Sequence, residues 1–153
     1  MKRAFTIIEL IFVIVILAIL ATVAIPRIAA TRDDAEISKG VSNLSILIMD
    51  LSSYYTSKGK FDSATKWKDA TEVNLLSDKD GSSIDDTTLL SDDVFLSVKS
   101  KGCSKISVSD GAVTVYDTGI SNDSICVQFN ELDSVKKLSK THRFASSNVK
   151  FSN

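Results

Sequence analysis

The sequence predicts an α+β chain: a long N-terminal helix, membrane-spanning in its first half and amphipathic in its second, packed on a small antiparallel β-sheet headpiece. Three observations predict it. Phe5 to Ile25 holds 21 positions of which only Thr6, Glu9 and Thr22 are polar. Beyond Pro26, apolar residues recur at alternating spacings of four and three, the period of one helix face. From Val94 the apolar period falls to two, the signature of half-buried strands.

The apolar run comes first. Twenty-one residues at the helical rise make roughly 31 Å, close to the hydrocarbon thickness of a bilayer. Lys2 and Arg3 precede it with no acidic neighbour, so the bias of basic residues toward the cytoplasm places the N-terminus inside and the bulk of the chain outside. A cleaved secretory signal is the plainer reading, with Thr22-Val23-Ala24 as its small-residue site. The run exceeds the roughly 7–15 residues of a signal core, and a cut after Ala24 would leave Pro26 second in the mature chain. Glu9 weighs more. A carboxylate at the centre of a membrane helix costs about 2.5–3.5 kcal/mol, less near its ends, and neither a disposable signal nor a plain anchor gains from it.

Lys2-Arg3-Ala4-Phe5-Thr6-Ile7-Ile8-Glu9-Leu10, followed by the apolar run to Pro26, resembles the N-terminus of type IV pilins and type II secretion pseudopilins. The likeness joins a short basic leader, a small residue before Phe5, Thr6 next, Glu9 four positions beyond Phe5, and Pro26 about one helix-length on. It covers roughly the first 35 residues. It implies that a prepilin peptidase cuts between Ala4 and Phe5 on the cytoplasmic side and that the new amino group of Phe5 is N-methylated. It further implies a single-pass subunit of a bacterial inner membrane with a periplasmic or extracellular headpiece. Such a subunit assembles with other copies and related pilin-like subunits through the inner-membrane assembly machinery. The family usually has Gly where this chain has Ala4; Ala is the next smallest side chain, so slower cleavage is expected. The Trp- and Gly-rich loop signatures of the major secretion pseudopilin are missing, which points to a minor subunit or a divergent pilin.

The chemistry can also be argued from the residues. Cutting before Phe5 turns a neutral amide into an ammonium at the membrane edge, and monomethylation leaves it charged. Residues four apart lie on one helix face about 6 Å apart, but the ammonium points back along the axis. The amine of a neighbouring subunit's Phe5 therefore suits Glu9 better, and that pairing would set the axial register between subunits.

The domain plan follows: 1–4 leader, 5–25 transmembrane half, 26–57 amphipathic half, 58–153 headpiece with its sheet at about 94–130. Pro26 should kink the helix, because it removes a backbone donor and crowds the preceding turn, which a membrane helix tolerates. Ile37, Val41, Leu44, Ile48, Leu51 and Tyr55 form the apolar stripe, and Gly59 between Lys58 and Lys60 is the expected stop. The stripe either packs on the chain's own sheet, the preferred reading, or forms a coiled-coil seam with other subunits. A helix from Phe5 to Ser57 would be roughly 80 Å long. A domain this small cannot cover it, so its exposed apolar half requires lipid or other copies.

Between Phe61 and Asp93 the pattern weakens. Ser63 to Ala70 suits a short helix with Trp67 as a core plug. Asp78, Asp80 and Asp85 around Gly81 give alternating oxygen ligands that suit calcium, but without the twelve-residue spacing and closing Glu of a calcium loop. Asp and Gly also dominate ordinary turns. Four strands follow, at Val94–Val98, Lys105–Ser109, Ala112–Asp117 and Ser124–Asn130, with Asp110-Gly111 as a hairpin turn. That turn sets Ile106 across from Val115 and Val108 across from Val113, on one face with Ile125, Val127 and Phe129. Cys103 and Cys126 lie in the extracytoplasmic part, where an oxidising compartment permits a disulfide. Strand parity puts both on the opposite face, and a simple meander would leave one strand between them, beyond disulfide reach unless Cys103 sits past a strand end.

Eighteen Lys and Arg against nineteen Asp and Glu leave a net charge of −1, so no large positive field is available for nucleic acid. The one basic cluster, Lys136 to Phe144, suits DNA contact, as in competence pilins, or a solvated surface anchored by Leu138 and Phe144; the second is preferred. Two Cys and one His are too few for a four-ligand zinc site, and His142 alone suggests no catalysis. No cofactor is expected. The chain therefore reads as a pilin-like or pseudopilin-like structural subunit of a filament serving type II secretion, a type IV pilus or DNA uptake. The rivals are a membrane-tethered periplasmic binding domain that never polymerises, which Glu9 disfavours, and an enzyme, for which no nucleophile–base pair or phosphate loop stands out.

Overall fold

The computed structural model describes residues 6–62, 64–109, 111–116 and 123–144. Two compact units divide the chain, Met1–Ala35 and Glu36–Asn153, and the first helix, α1 (Ile7–Lys58), contributes to both. After it come α2 (Trp67–Ala70), β1 (Leu75–Leu76), β2 (Val94–Val98), β3 (Lys101–Ser109), β4 (Ala112–Tyr116), α3 (Ser124–Glu131), α4 (Asp133–Leu138) and β5 (Thr141–Arg143). The strands form one antiparallel sheet in the order β1-β2-β3-β4-β5. The architecture is the α+β class that the sequence predicts.

In the first unit α1 runs unbroken through Pro26. Proline lacks the amide that would bond to the carbonyl of Thr22, and the Thr22 hydroxyl donates to the Ile19 carbonyl at 2.7 Å. Helix α1 ends where glycine permits: Gly59 has φ 74° and donates its amide to the Tyr55 carbonyl at 2.7 Å, in the left-handed conformation that glycine reaches without steric cost.

In the second unit the stripe on α1 faces the chain's own sheet. Ile37, Leu44, Leu47 and Leu51 share one buried cluster with Val94, Leu96, Val98, Ile106, Val113 and Val115. Burying each such side chain contributes about 1.5–3 kcal/mol. Leu47, absent from the expected stripe, is fully buried, while Val41 and Ile48 are only partly covered. Gly40 explains how close the helix sits: a Cβ there would lie 2.7 Å from Val98 Cγ2 and 3.0 Å from Phe129 Cε2. The segment between α1 and β2 is pinned by Trp67, which is fully buried and donates Nε1–H to the Asp92 carbonyl at 3.0 Å. The core-plug expectation holds; the short helix shrinks to the four residues of α2.

The β3–β4 register is the expected one, with Ile106 opposite Val115 and Val108 opposite Val113. Gly111 has φ 68°, while Asp110 lies outside the described residues. Three expectations fail. Ser124–Asn130 is not a strand but most of α3. Asp123 caps it by accepting the Ile125 amide on Oδ1 at 3.0 Å, and its buried residues Ile125, Cys126 and Phe129 follow helical spacing, which leaves Val127 exposed. The sheet therefore does not end near residue 130; it takes in Leu75–Leu76 at one edge and Thr141–Arg143 at the other. Finally, Cys103 does not face away from the core. Leu96 pairs with Ser104 and Ser97 with Gly102, so Cys103 is the extra residue of a β-bulge. Strand parity breaks there, and Cys103 enters the core cluster.

That bulge is where α3 attaches. A disulfide joins Cys103 to Cys126 with Cα atoms 4.8 Å apart, and the Asn130 side-chain amide donates to the Cys103 carbonyl at 2.9 Å. The Asn130 oxygen accepts the Ser104 hydroxyl at 3.3 Å. Helix α3 thus satisfies groups that the bulge takes out of the ladder.

The turn between β2 and β3 carries strain. Lys99 and Ser100 have φ of 49° and 63°, a two-residue hairpin loop with both residues in the left-handed region, where a side chain costs about 1–2 kcal/mol. Ser100→Gly should raise the unfolding free energy of the chain by about 0.5–1 kcal/mol once the greater entropy of an unfolded glycine is subtracted. Chemical denaturation in detergent micelles reads the change, and a destabilised variant would show that the Ser100 side chain holds the turn.

Candidate functional site

The functional residues that the sequence singles out cluster at the start of the first unit. Ala4 and Phe5 lie outside the described residues; Thr6 and Glu9 lie within them. Helix α1 begins at Ile7, which makes Thr6 its N-cap and Glu9 the third helical residue. The two side chains bond reciprocally. Thr6 donates its amide to Glu9 Oε2 at 2.9 Å and its hydroxyl to the same oxygen at 2.6 Å, and the Glu9 amide donates back to Thr6 Oγ1 at 3.3 Å. This is a capping box, legible in the sequence as Thr6-x-x-Glu9. Sequence reasoning missed it by seeking a distant partner for Glu9. In a membrane the box matters more than in water, because no solvent is present to satisfy the first amides of a helix.

The remainder of the first half of α1 offers little but apolar surface. Ile7, Ile8, Leu10, Phe12, Leu17, Ile19, Leu20, Val23, Ile25 and Ile28 are all exposed, and the helix is long and apolar enough to cross a membrane. A helix apolar on every side, and exposed among the described residues, suits lipid or other helices. This fits a single-pass inner-membrane anchor.

The acidic loop of the second unit is arranged for its own backbone. Asp78 Oδ1 accepts the amides of Asp80, Gly81 and Ser82 at 2.9, 2.9 and 3.1 Å. The Ser82 side chain and these amides hold the Asp78 carboxyl at about 2. Asp85 is held at about 2 by the Thr87 hydroxyl and amide and by the Thr88 hydroxyl, with Oδ1 contacts of 2.7 to 3.0 Å. These carboxylates are engaged in turns. Among the described residues no group of three or more His, Cys, Asp or Glu is placed to hold a metal ion.

The basic stretch forms α4, the bend after it and β5. Lys136, Lys137, Lys140 and Arg143 are exposed, whereas Leu138 and Phe144 pack against the core. Phe144 joins an aromatic group, its ring centroid 6.1 Å from Phe61 and 6.2 Å from Tyr55. His142 is engaged by the Leu138 carbonyl at 2.8 Å.

No curated protein and no solved structure matches the chain. Residues 1–25 match the family model of the prokaryotic N-terminal methylation motif. Its basic leader, the capped start of α1 and the uncovered apolar helix beyond belong together: the chain carries the prepilin-type cleavage and methylation segment of type IV pilins and pseudopilins.

Proposed function

We propose that this chain is a pilin-like structural subunit, cut between Ala4 and Phe5, N-methylated at Phe5 and built into a helical filament through its N-terminal helix. Its N-terminus lies in the cytoplasm and its headpiece outside the inner membrane, as Lys2 and Arg3 direct. The observation that carries this reading is the methylation motif over residues 1–25 with a single carboxylate, Glu9, inside an otherwise apolar span. In the filament Glu9 accepts the charged amine at Phe5 of a neighbouring subunit. The role is mechanical rather than catalytic. It serves type II secretion, a pilus or DNA uptake, alongside related pilin-like subunits and the assembly machinery of the inner membrane.

Processing tests it. Ala4 is the small residue before the cut, and replacing it with Leu should block maturation in cells holding the peptidase. Mass spectrometry of membrane extracts reads the new N-terminus. The expected wild-type product starts at methylated Phe5; a mature chain starting at Ile25 would restore a cleaved secretory signal and overturn the reading.

A further inference from the structure

We propose that the headpiece cavity between α2 and β1 is a binding site for a primary ammonium on a short aliphatic chain, with Glu72 as its counter-ion.

The cavity has a volume of about 370 Å³, within the roughly 300–1,000 Å³ of small-molecule sites. Its walls are fixed. The Thr71 hydroxyl donates to Asp50 Oδ2 of α1 at 2.7 Å and accepts the Val73 amide at 3.1 Å, which ties one wall to the core helix. The other wall is held to β1, because the Ile84 amide donates to the Leu75 carbonyl at 3.4 Å and Ser83 bridges to Leu76. A site formed in advance spends little of its binding energy on ordering.

The ligand class follows from which lining groups are already engaged. Val73, Leu75 and Ile84 give the cavity an aliphatic side, with Leu75 buried and the other two half-buried. That side suits methylenes. Lys68 and Glu72 are the charged groups of the lining, but Lys68 is paired with Asp86, so the charge left over once that pair is neutral is the Glu72 carboxylate. Among the described residues the side chains of Glu72, Asn74 and Ser83, all part of the lining, make no hydrogen bond. They offer a carboxylate, an amide oxygen and a hydroxyl as acceptors, which is the set that an ammonium with three donors and no acceptor needs. An anion would meet Glu72 with the lysine already taken. Such an ammonium is carried by a free aliphatic amine or by the lysine side chain of a peptide.

The test uses the full chain, isotope-labelled at its amides, in micelles of a nonionic detergent at neutral pH. It is titrated separately with n-pentylamine hydrochloride and with lysine blocked as its acetyl and methylamide derivative. Both should shift the amides of Glu72 to Leu75 and of Ser83 and Ile84 saturably, in the millimolar range. Tighter binding of n-pentylamine assigns the site to free amines, and tighter binding of blocked lysine assigns it to a peptide side chain. Glu72→Gln keeps the shape and removes the charge, and should weaken both about threefold, the size of a solvent-exposed ion pair. For the same reason n-pentanol should bind the wild type about threefold more weakly than n-pentylamine does. If neither amine gives saturable shifts at these amides, the cavity takes no ammonium and the proposal is overturned. If Glu72→Gln binds the amines as the wild type does, or n-pentanol binds as well as n-pentylamine, Glu72 is no counter-ion and the proposal is again overturned.

Discussion

Glu9→Val should leave membrane insertion and cleavage intact while abolishing assembly. Removing the carboxylate relieves a burial cost of about 2.5–3.5 kcal/mol at a helix centre and less toward its ends. Against this, valine leaves the Thr6 amide without its Oε2 acceptor, a lost cap of about 0.5–2 kcal/mol. The two nearly cancel, so the isolated subunit is little changed. In the proposed filament the balance is one-sided, because the amine at Phe5 of each neighbour would be left charged and unpaired in a low-dielectric bundle, at about 3–5 kcal/mol, or roughly a hundredfold to several thousandfold in association at each contact. Glu9→Gln separates the two roles: its side-chain oxygen can still cap the helix, as glutamine does in a capping box, but it carries no charge. The check is subunit crosslinking beside fractionation and cleavage assays. Both variants are expected to insert, mature and remain single subunits; full crosslink ladders from Glu9→Gln would show that capping, not charge pairing, is what Glu9 supplies.

Replacing Cys103 and Cys126 together with Ala should lower the unfolding free energy by about 3 kcal/mol. The bridge closes a loop of 23 residues, and tying its ends removes roughly that much chain entropy from the unfolded state. Both sulfurs are fully buried, so alanine adds the loss of their packing without leaving a polar group unpaired. The bulge at Cys103 depends on α3 for its carbonyl partner, Asn130, so loosening α3 should also expose that part of β3 to hydrogen exchange. Chemical denaturation of the full chain in detergent gives the energy. Denatured, unreduced wild-type protein should take up no thiol label. A double variant within 0.5 kcal/mol of the wild type would show that packing of α3 on β3 suffices without the bridge.

The corrected strand shows where sequence patterns lose force. Ser124–Asn130 has β-branched residues and an alternation of apolar and polar positions, which reads as a strand, yet Ile125, Cys126 and Phe129 are equally one face of a helix. Over seven residues periods of two and 3.6 are hard to separate. The tie is broken by partners distant in sequence: the bulge at Cys103, which the disulfide reaches, and Gly40, against which Phe129 packs. The edge strands Leu75–Leu76 and Thr141–Arg143 are too short to carry any period, and they exist because β2 and β4 offer them a ladder. The capping box is the reverse case. Thr6-x-x-Glu9 is readable from spacing alone, because both partners lie within one helical turn.

By itself the sequence determined what depends on local spacing and composition. It set the span with its lone carboxylate, the stop at Gly59, the buried stripe of α1 and the β3–β4 register, because each is a period or a turn residue expressed within a few positions. Only the tertiary structure decided that residues 124–131 are helical and that Cys103 points into the core. Those outcomes follow from which backbone groups and cavities remain to be filled once the sheet and α1 have packed, and no local pattern encodes that.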